Sequence, residues 1–528
     1  MLASRVRAIH ARPPLRPTPL RTQSSRFRWY SQQPAKQSDL SSQPAFSAQR
    51  YLQHTAFTVD FFRRFVKFTA IGLFAVGLST WTAFEGAHMY VESVKLALNT
   101  DPDVRKWEWD VEAERWARGR SGGTDPGLSF KGRHAVRAAW MAQNWGIGSS
   151  DIAPAGGMSG KASPGNSNGG LNVVEARLVI AQAFLAVALD YAAKHPDKLL
   201  PHTMVELRQR NASILEHMGT KEALFAARRD LEKVWAGQPG RGIDAARTAL
   251  KLGDLNQRLG DGEDAMAWWA RSVQLTQEQD SSKPIEIPPP VPSSAPSSPL
   301  AQRTLITTLV SLSAFYATSG QLKQAQAVEE SALDLLRSIP QPKSFETAAP
   351  SEALHALYIL HRSSLLSIHL AEVLYALRNK QPTSMEWLAR AAESSERVAL
   401  TLTGLPPVHP DAPQSRIPHP PSSETPLIPS YAKSAFMQKP ASSLLRDARR
   451  TAAEAWNLMG LLIEASDAPE SQKRAFECYE RAVGWAGVAH DRAGGVAKAG
   501  EGITEVEWKA LWNNYVRTRN TVKNIGSK

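Results

Sequence analysis

Apolar side chains recur at helical spacing along most of the chain from residue 171 to residue 525. These stretches are rich in Ala, Leu, Glu and Arg and contain no proline, and no alternating strand pattern of useful length occurs. The pattern predicts an all-α fold in which many helices are paired across short turns, as in a helical-hairpin solenoid. The predicted helices are 171–194, 204–218, 221–236, 242–259, 264–278, 300–319, 322–339, 351–379, 384–403, 442–465, 470–490 and 504–524.

A second apolar pattern, without a polar face, occupies residues 65–84. The sequence FVKFTAIGLFAVGLSTWTAF carries one charge, Lys67, and no proline. About 20 residues at 1.5 Å each cross the roughly 30 Å hydrocarbon core of a bilayer. The pattern predicts a single transmembrane helix. The alternative is a buried helix of a soluble protein, which would not normally follow a basic leader.

The residues before this span are basic and rich in Ser and Pro. Up to Lys67 they contain twelve Lys or Arg and two Asp, which is a net charge of +10. This composition is typical of a mitochondrial transit peptide. The sequence RWYS resembles a matrix processing site, and cleavage is predicted after Tyr30. Residues 1–30 are therefore the predicted presequence, and residues 31–64 are a predicted flexible segment on the matrix side.

Charges that flank the span predict its orientation. Arg63, Arg64 and Lys67 lie at its start, whereas Glu85 and Glu92 follow it. The positive-inside rule then keeps the N-terminal part in the matrix and places the rest of the chain in the intermembrane space. The predicted location is the mitochondrial inner membrane, crossed once.

The charge and cysteine content exclude several functions. The whole chain has a net charge of +12, so only +2 remains once the leader is subtracted. Nucleic-acid binding requires a basic face that neutralises several phosphates, and no such face is indicated. Cys478 is the only cysteine, which excludes an intrachain disulfide and a cysteine-based zinc site.

The region after the span divides into two predicted parts. Residues 85–118 are predicted juxtamembrane helices, one of which starts with Asp101 as N-cap and Pro102 at the first helical position. The tryptophans of this part fit either the membrane interface or docking on the main domain; they are Trp107, Trp109 and Trp116. Residues 119–170 are rich in Gly and Ser and are predicted to be mostly loop.

The helical domain, residues 171–525, is interrupted twice. Proline is dense near residues 281–299 and again near 404–440. Proline cannot enter the interior of helices or central strands. Both segments are therefore predicted to be exposed insertions.

Two helix pairs share the spacing of small and aromatic residues found in tetratricopeptide repeats, and a third pair shares it with a connection three residues longer. Small residues late in one helix and early in the next let the helices cross closely, and bulky residues fill the groove beside them. Helices 354–379 with 384–403, and 171–194 with 204–236, are predicted to be degenerate further units. The matching residues are Leu252, Gly253, Gly260, Ala265, Trp269 and Ser272; Leu309, Leu312, Ser313, Tyr316, Gly320, Ala325 and Ala332; and Trp456, Met459, Gly460, Ile463, Ala475, Tyr479 and Ala482.

With its presequence, one anchor and a tetratricopeptide-like domain, the chain resembles the fungal mitochondrial inner-membrane adaptors of the i-AAA protease complex. The resemblance covers about residues 1–525, and its most distinctive local piece is FEGAHMYVE at the exit of the anchor. It rests on architecture and not on catalytic residues. It implies that the repeat domain binds unfolded or substrate proteins in the intermembrane space and delivers them to the protease for mitochondrial protein quality control.

Motifs for phosphate or dinucleotide binding are incomplete. GGMSGKAS resembles a phosphate loop at Gly160 and Lys161, but Ala155 and Ala162 stand where Gly and Ser or Thr are required. The sequence GIG at residues 146–148 lacks the third glycine of a dinucleotide loop. No cofactor or small-molecule substrate is therefore predicted.

Histidines in one helical region do not have the spacing of a metal site. His355, His361 and His369 are six and eight residues apart, whereas a zinc pair on a helix prefers a spacing of four. They are predicted to be packed or surface residues. No catalytic, cofactor-binding or metal-binding residue is predicted, and the chain is expected to act by binding and not as an enzyme.

Some tetratricopeptide domains hold a chaperone C-terminus with Lys and Asn on their first helices. The equivalent residues here do not make such a carboxylate clamp; they are Leu250, Asp254, Val310, Ala314, Asn457 and Leu461. A non-proteolytic assembly or scaffold factor for an inner-membrane complex would share every feature above. An enzyme with an unrecognised helical active site is the third alternative.

Overall fold

The computed structural model confirms the all-α fold. The chain divides into two units, residues 1–79 and residues 80–528, which are described separately. The predicted presequence and residues 31–47 lie outside the described part. The structure describes residues 48–120, 122–146, 175–238, 242–277, 286–378, 381–405, 425–466, 470–489 and 496–526.

Seventeen α-helices and one short antiparallel strand pair are present in these residues. The strands are β1 (Gly487–Ala489) and β2 (Val496–Ala499). The helices are α1 (Ala48–Tyr90), α2 (Pro102–Lys106), α3 (Trp109–Glu112), α4 (Ser129–Trp145), α5 (Ala176–Lys194), α6 (Thr203–Met218), α7 (Lys221–Gly237), α8 (Ile243–Leu259), α9 (Gly262–Thr276), α10 (Pro299–Thr318), α11 (Leu322–Ser338), α12 (Pro350–Ala376), α13 (Gln381–Thr403), α14 (Pro429–Ala432), α15 (Gln438–Glu464), α16 (Ser471–Ala486) and α17 (Glu505–Gly526).

In the first unit, residues 48–79 belong to α1, which contains the predicted span 65–84. The prediction that residues 31–64 are flexible is wrong for residues 48–64, because this stretch has no Gly or Pro to interrupt a helix. Two described helices are long and apolar enough to cross a membrane. One lies within Phe57–Lys95, and none of its most apolar 18-residue stretch is buried. The other is α5, in which 28% of the corresponding stretch is buried.

The second unit is a stack of helical hairpins. Neighbouring helices pack in the pairs α4/α5, α6/α7, α8/α9, α10/α11, α12/α13 and α15/α16. The first helices α8, α10, α12 and α15 also contact one another in that order, so they form one continuous row. This arrangement is the predicted helical-hairpin solenoid. We call these four helices, together with α6, whose Glu216 pairs with Lys251 of α8 at 3.1 Å, the first-helix row.

Two glycines show why small residues are needed at the helix crossings. A Cβ atom on Gly253 would lie 2.5 Å from the Trp269 ring, and one on Gly460 would lie 2.6 Å from the Tyr479 ring. Both rings are fully buried. The close packing that the repeat spacing predicts is therefore present in α8/α9 and α15/α16.

The predicted loop at residues 119–170 is wrong for residues 129–145, which form α4. Val136, Ala139 and Ala142 recur at helical spacing on its buried face, and the surrounding Gly and Ser content obscured this period. Residues 147–174 lie outside the described residues. The helix predicted at 470–490 ends at Ala486, where the missed strand β1 begins.

The described parts of the two Pro-rich segments are less exposed than predicted. In the first, Val291 and Ala295 pack against the core formed by α8 to α12. Proline prevents a helix there but does not prevent an irregular chain from packing. In the second, α14 is present and α15 begins at Gln438, four residues before the predicted start. Residues 406–424 lie outside the described part.

Candidate functional site

The first-helix row carries a bound polypeptide, which is the chain's own segment at residues 101–118. We call this segment the strap. As predicted, Asp101 caps α2, with its side chain accepting the Asp103 N–H at 2.9 Å and Pro102 at the first helical position. Glu108 then takes a left-handed conformation with φ of 55°, which separates α2 from α3.

Trp109 fixes the strap to two first helices. Its side chain is 1% exposed, and its indole N–H donates to the Ser351 carbonyl of α12 at 2.9 Å. The Arg303 guanidinium of α10 lies 3.9 Å from the centre of the indole ring. Trp109 and Trp116 are both buried, so these tryptophans dock on the main domain.

Arg303 is the most buried charge of the site, with 1% of its side chain exposed. Its Nε donates to Glu112 at 2.6 Å and its Nη2 donates to the Trp107 carbonyl at 3.1 Å. Burial and the nearby Arg303 charge lower the pKa of His355 to about 3. His355 is therefore neutral, and its Nδ1 can accept the Arg303 Nη1–H at 3.0 Å while Nε2 donates to Gln302 at 2.9 Å.

Other cations of the row contact the strap backbone and its acids. Arg247 of α8 donates to the carbonyls of Val111 and Glu112 at 3.1 and 3.0 Å. Glu114 pairs with Arg210 of α6 at 2.8 Å and with Lys439 of α15. Burial by itself would raise the pKa of Glu114, but these two cations lower it to about 2.

The strap also caps the start of α10. Glu108 accepts the Leu300 N–H at 2.9 Å and the Ser298 hydroxyl at 2.5 Å. Ser298 is itself the N-cap residue of this helix. A carboxylate at a helix N-terminus is stabilised by the unpaired N–H groups and the helix dipole. The acidic strap therefore matches a surface made of arginines and the N-terminus of α10.

The row remains uncovered by the strap further along the same helices. Leu461 of α15 is 39% exposed there, and Glu372 of α12 and Glu454 of α15 are exposed acids. This stretch has mixed acidic and apolar character.

The six positions compared with a carboxylate clamp do not present a cationic cluster. Leu250 is buried, and Asp254 accepts the Trp269 indole N–H at 3.1 Å. Burial raises the pKa of Asp254. Asn457 accepts the Asn514 side-chain N–H of α17 at 3.0 Å. Val310 and Ala314 of α10 are half-buried, and Leu461 is the most open of the six.

The three histidines named by spacing are packed, as predicted. His355 and His361 are buried, and His361 Nε2 lies 3.1 Å from the Thr451 hydroxyl. His369 is half-buried and lies 3.2 Å from the Ser313 hydroxyl. Within the described ranges, no group of three or more His, Cys, Asp or Glu could hold a metal ion.

The remaining residues named by motif take no part in this surface. Cys478 is buried, and burial raises the pKa of its thiol to about 11. Gly146 ends α4 with a φ of 67°. The sequence around Gly160 and Lys161 lies outside the described residues.

Sequence reasoning missed the row of Arg210, Arg247 and Arg303 as the partner of the strap. The signal was present in the strap, where residues 108–114 contain four acids and no cation beside Trp109. The partners are distant in sequence, so spacing alone could not pair them. The chain matches no protein-family model and no curated protein sequence.

Proposed function

We propose that the protein is a membrane-anchored adaptor that binds other polypeptides on its first-helix row. One observation carries this proposal: the row already holds a polypeptide, its own strap. Four strap carbonyls, of Trp107, Glu108, Val111 and Glu112, accept hydrogen bonds from Arg303 and Arg247. Backbone recognition depends little on side chains, which suits a surface that must accept many sequences.

The uncovered stretch near Leu461 is the part of the row open to a substrate protein. It has the exposed apolar side chain of Leu461 on α15 and exposed acids on α12 and α15. An unfolded polypeptide offers apolar side chains and cations that such a surface can bind. The adaptor therefore acts by binding, with no bond chemistry of its own.

The anchor is the reason to propose delivery to a membrane-bound partner. The apolar helix within Phe57–Lys95 is able to span a bilayer. Tethering two proteins in one membrane turns their encounter into a high effective-concentration event. The basic leader, the acidic exit and the resemblance to i-AAA adaptors support a place in the mitochondrial inner membrane, with the N-terminus in the matrix and the helical domain in the intermembrane space.

In this proposal the partners are i-AAA protease subunits and unfolded or substrate proteins, and the process is mitochondrial protein quality control. Purification of the tagged full chain in mild detergent is expected to recover AAA protease subunits. Absence of every such subunit would overturn stable adaptor function. Loss of one respiratory complex from deletion cells, with normal substrate turnover, would instead favour an assembly factor.

A photo-crosslinking residue tests the surface itself. Placed at Leu461, which is 39% exposed on α15, it is expected to form adducts with polypeptides in mitochondria. The matched control is Asp334 on the second helix α11, whose side chain is 72% exposed. Equal adducts at both positions, or none at Leu461, would contradict a binding surface on the first-helix row.

A further inference from the structure

Large apolar side chains are exposed around the end of α1 and on the helix pair α4/α5. Their exposed fractions run from 40% to 69%, whereas most large apolar side chains of the second unit are buried. We call this set the α4–α5 apolar surface. It comprises Met89, Tyr90, Phe130, Trp145, Phe184 and Val187.

Helix α5 is apolar on its outer face as well as on its core face. Residues 178–189 contain no charge, and Leu178, Ala181 and Leu185 form its buried stripe. Phe184 and Val187 lie outside this stripe and are 40% and 54% exposed. A helix at a water-facing surface normally carries polar residues there. The outer face of α5 is therefore as apolar as a helix face that contacts an apolar environment and not water.

Ring contacts place the start of α4 level with the end of the predicted span, Phe84. The His134 ring lies 6.2 Å from the Phe84 ring, and His134 Nε2 lies 3.0 Å from a Glu85 carboxylate oxygen. The Phe130 ring is 3.9 Å from the His134 ring and is 69% exposed. Phe130 therefore lies beside the predicted end of the span.

The other end of α4 contacts α1 only slightly further along. Trp145 stacks on Tyr90, with ring centres 6.2 Å apart. From Phe130 to Trp145 α4 extends about 22 Å, whereas Phe84 and Tyr90 are only about 9 Å apart along α1. Helix α4 must therefore cross the end of α1 and cannot run along it. The polar headgroup layer beside the hydrocarbon core is roughly 5–8 Å thick, so much of α4 lies near that depth.

We propose that the α4–α5 apolar surface rests in the interfacial layer of the lipid bilayer, as a second membrane contact beside the anchor. This inference rests on the membrane anchor of the proposed function. Trp and Tyr favour the interfacial layer because their rings are apolar and their N–H or O–H groups stay in contact with polar neighbours.

Charge at the edge of the surface fits the same occupant. The Lys95 ammonium lies 5.9 Å from the centre of the Tyr90 ring, and Lys131 of α4 is exposed beside Phe130. Ammonium groups at this depth can bind lipid phosphates. An uncharged apolar partner protein would gain nothing from these two cations. A phospholipid surface supplies phosphates for the ammonium groups and hydrocarbon for the apolar side chains.

Fluorescence quenching tests the proposal on the full chain in phospholipid vesicles. Cys478 is 6% exposed and its thiol pKa is raised to about 11, so a maleimide dye at neutral pH reacts with an added surface cysteine in preference to it. Dye is placed at Phe130→Cys, at Val187→Cys, and at the control Asp334→Cys on α11. Quenchers are carried either on lipid chains or, as iodide, in water.

The proposal predicts at least twofold quenching by the lipid-borne quencher at positions 130 and 187, with little at 334. Iodide should give the reverse order. Quenching by iodide alone at 130 and 187 would overturn the proposal. Protection from both quenchers would also overturn it, because a second copy of the chain would then cover the surface.

Flotation of the same vesicles separates this inference from the anchor. If the chain floats with the vesicles but the dyes at 130 and 187 are not quenched by lipid, only the α4–α5 contact fails. If the chain does not float, the anchor of the proposed function fails, and this inference fails with it. The variant Val187→Glu is expected to float but to increase iodide access to a dye at position 130 at least twofold.

Discussion

Arg303 stacks on Trp109, with its guanidinium carbon 3.9 Å from the centre of the indole ring, and each side chain is 1% exposed. The two residues belong to α10 and to the strap, which are far apart in the sequence. Their contact joins the juxtamembrane segment to the hairpin stack. It also shows what the first-helix row can do, since Arg303 holds a carboxylate, a carbonyl and an aromatic ring of one bound segment.

Arg303→Ala is expected to destabilise the second unit by about 3 kcal/mol, because Glu112 would lose a buried partner and the Trp109 ring would lose its cation. Thermal unfolding in detergent measures this change. Limited proteolysis should also begin within residues 113–120. The matched control is Arg390→Ala, which removes an exposed arginine that lies 4.8 Å over Trp387 and should change stability by less than about 1 kcal/mol. Equal effects of both variants would show that the strap is not held through Arg303.

Gly460→Ala is expected to destabilise the α15/α16 hairpin by about 1–3 kcal/mol, because the new Cβ would lie 2.6 Å from the buried Tyr479 ring. Gly253→Ala should act in the same way through Trp269 in α8/α9. Gly86→Ala provides the control, since no atom lies within 4 Å of its added Cβ and alanine favours helix. Chemical denaturation measures all three variants. A neutral result at Gly460 and Gly253 would contradict the close helix crossings.

Glu329 of α11 gives a pH prediction. Its carboxylate is fully buried with neither oxygen hydrogen-bonded in the described residues, and burial, then the charges of Glu372 and Glu330, raise its pKa from 4.5 to about 8. Between pH 4.5 and about 8 the unfolded chain is ionised while the folded chain keeps the proton. The free energy of unfolding is therefore not reduced by this group below pH 4.5. It falls as the pH rises, by about 3 kcal/mol at pH 7.

Glu329→Gln should remove this loss, so the variant is more stable than the unmodified protein at pH 8 and similar to it at pH 5. Denaturant titrations at several pH values give the free energy of unfolding as a function of pH, and the slopes of the variant and the unmodified protein are compared. Glu386→Gln on α13 is the control, because Glu386 is exposed and its charge is not among those that raise the pKa of Glu329. Parallel slopes for Glu329→Gln and the unmodified protein would contradict a proton held at Glu329.

Membrane topology is tested with a tag at the C-terminus of the full chain. The tag should be protected from added protease in intact mitochondria and digested once the outer membrane is opened. This follows from the cations before the span and the acids after it. Digestion in intact mitochondria, or protection after opening, would place the helical domain in a different compartment.

Helices and their crossings could be predicted from the sequence because their signals are local. The period of Leu and Ala defined α8 to α13 within a few residues, and the spacing from Gly253 to Trp269 indicated the crossing that the structure contains. Helix α4 was missed because the Gly and Ser around it outweighed its own period. Strand β1 was missed because three residues give no alternation to detect.

The candidate surface was harder to predict because it depends on contacts between distant residues. The sequence alone allows Trp109 to contact either the membrane interface or the main domain, and the Arg303 guanidinium over its ring shows that it contacts the main domain. Part of the segment expected to be exposed at residues 281–299 packs on the core for a similar reason, since Val291 meets apolar residues that lie far along the chain. Such pairings are decided by the folded geometry and leave no fixed spacing in the sequence.

The half-life of an inner-membrane AAA-protease substrate in isolated mitochondria measures delivery by this protein. Degradation is expected to slow at least twofold without the protein and also with Leu461→Arg, at unchanged protease level, while the second-helix control Asp334→Lys behaves as the unmodified protein. An unchanged half-life in mitochondria that lack the protein would contradict the delivery of polypeptides by the first-helix row.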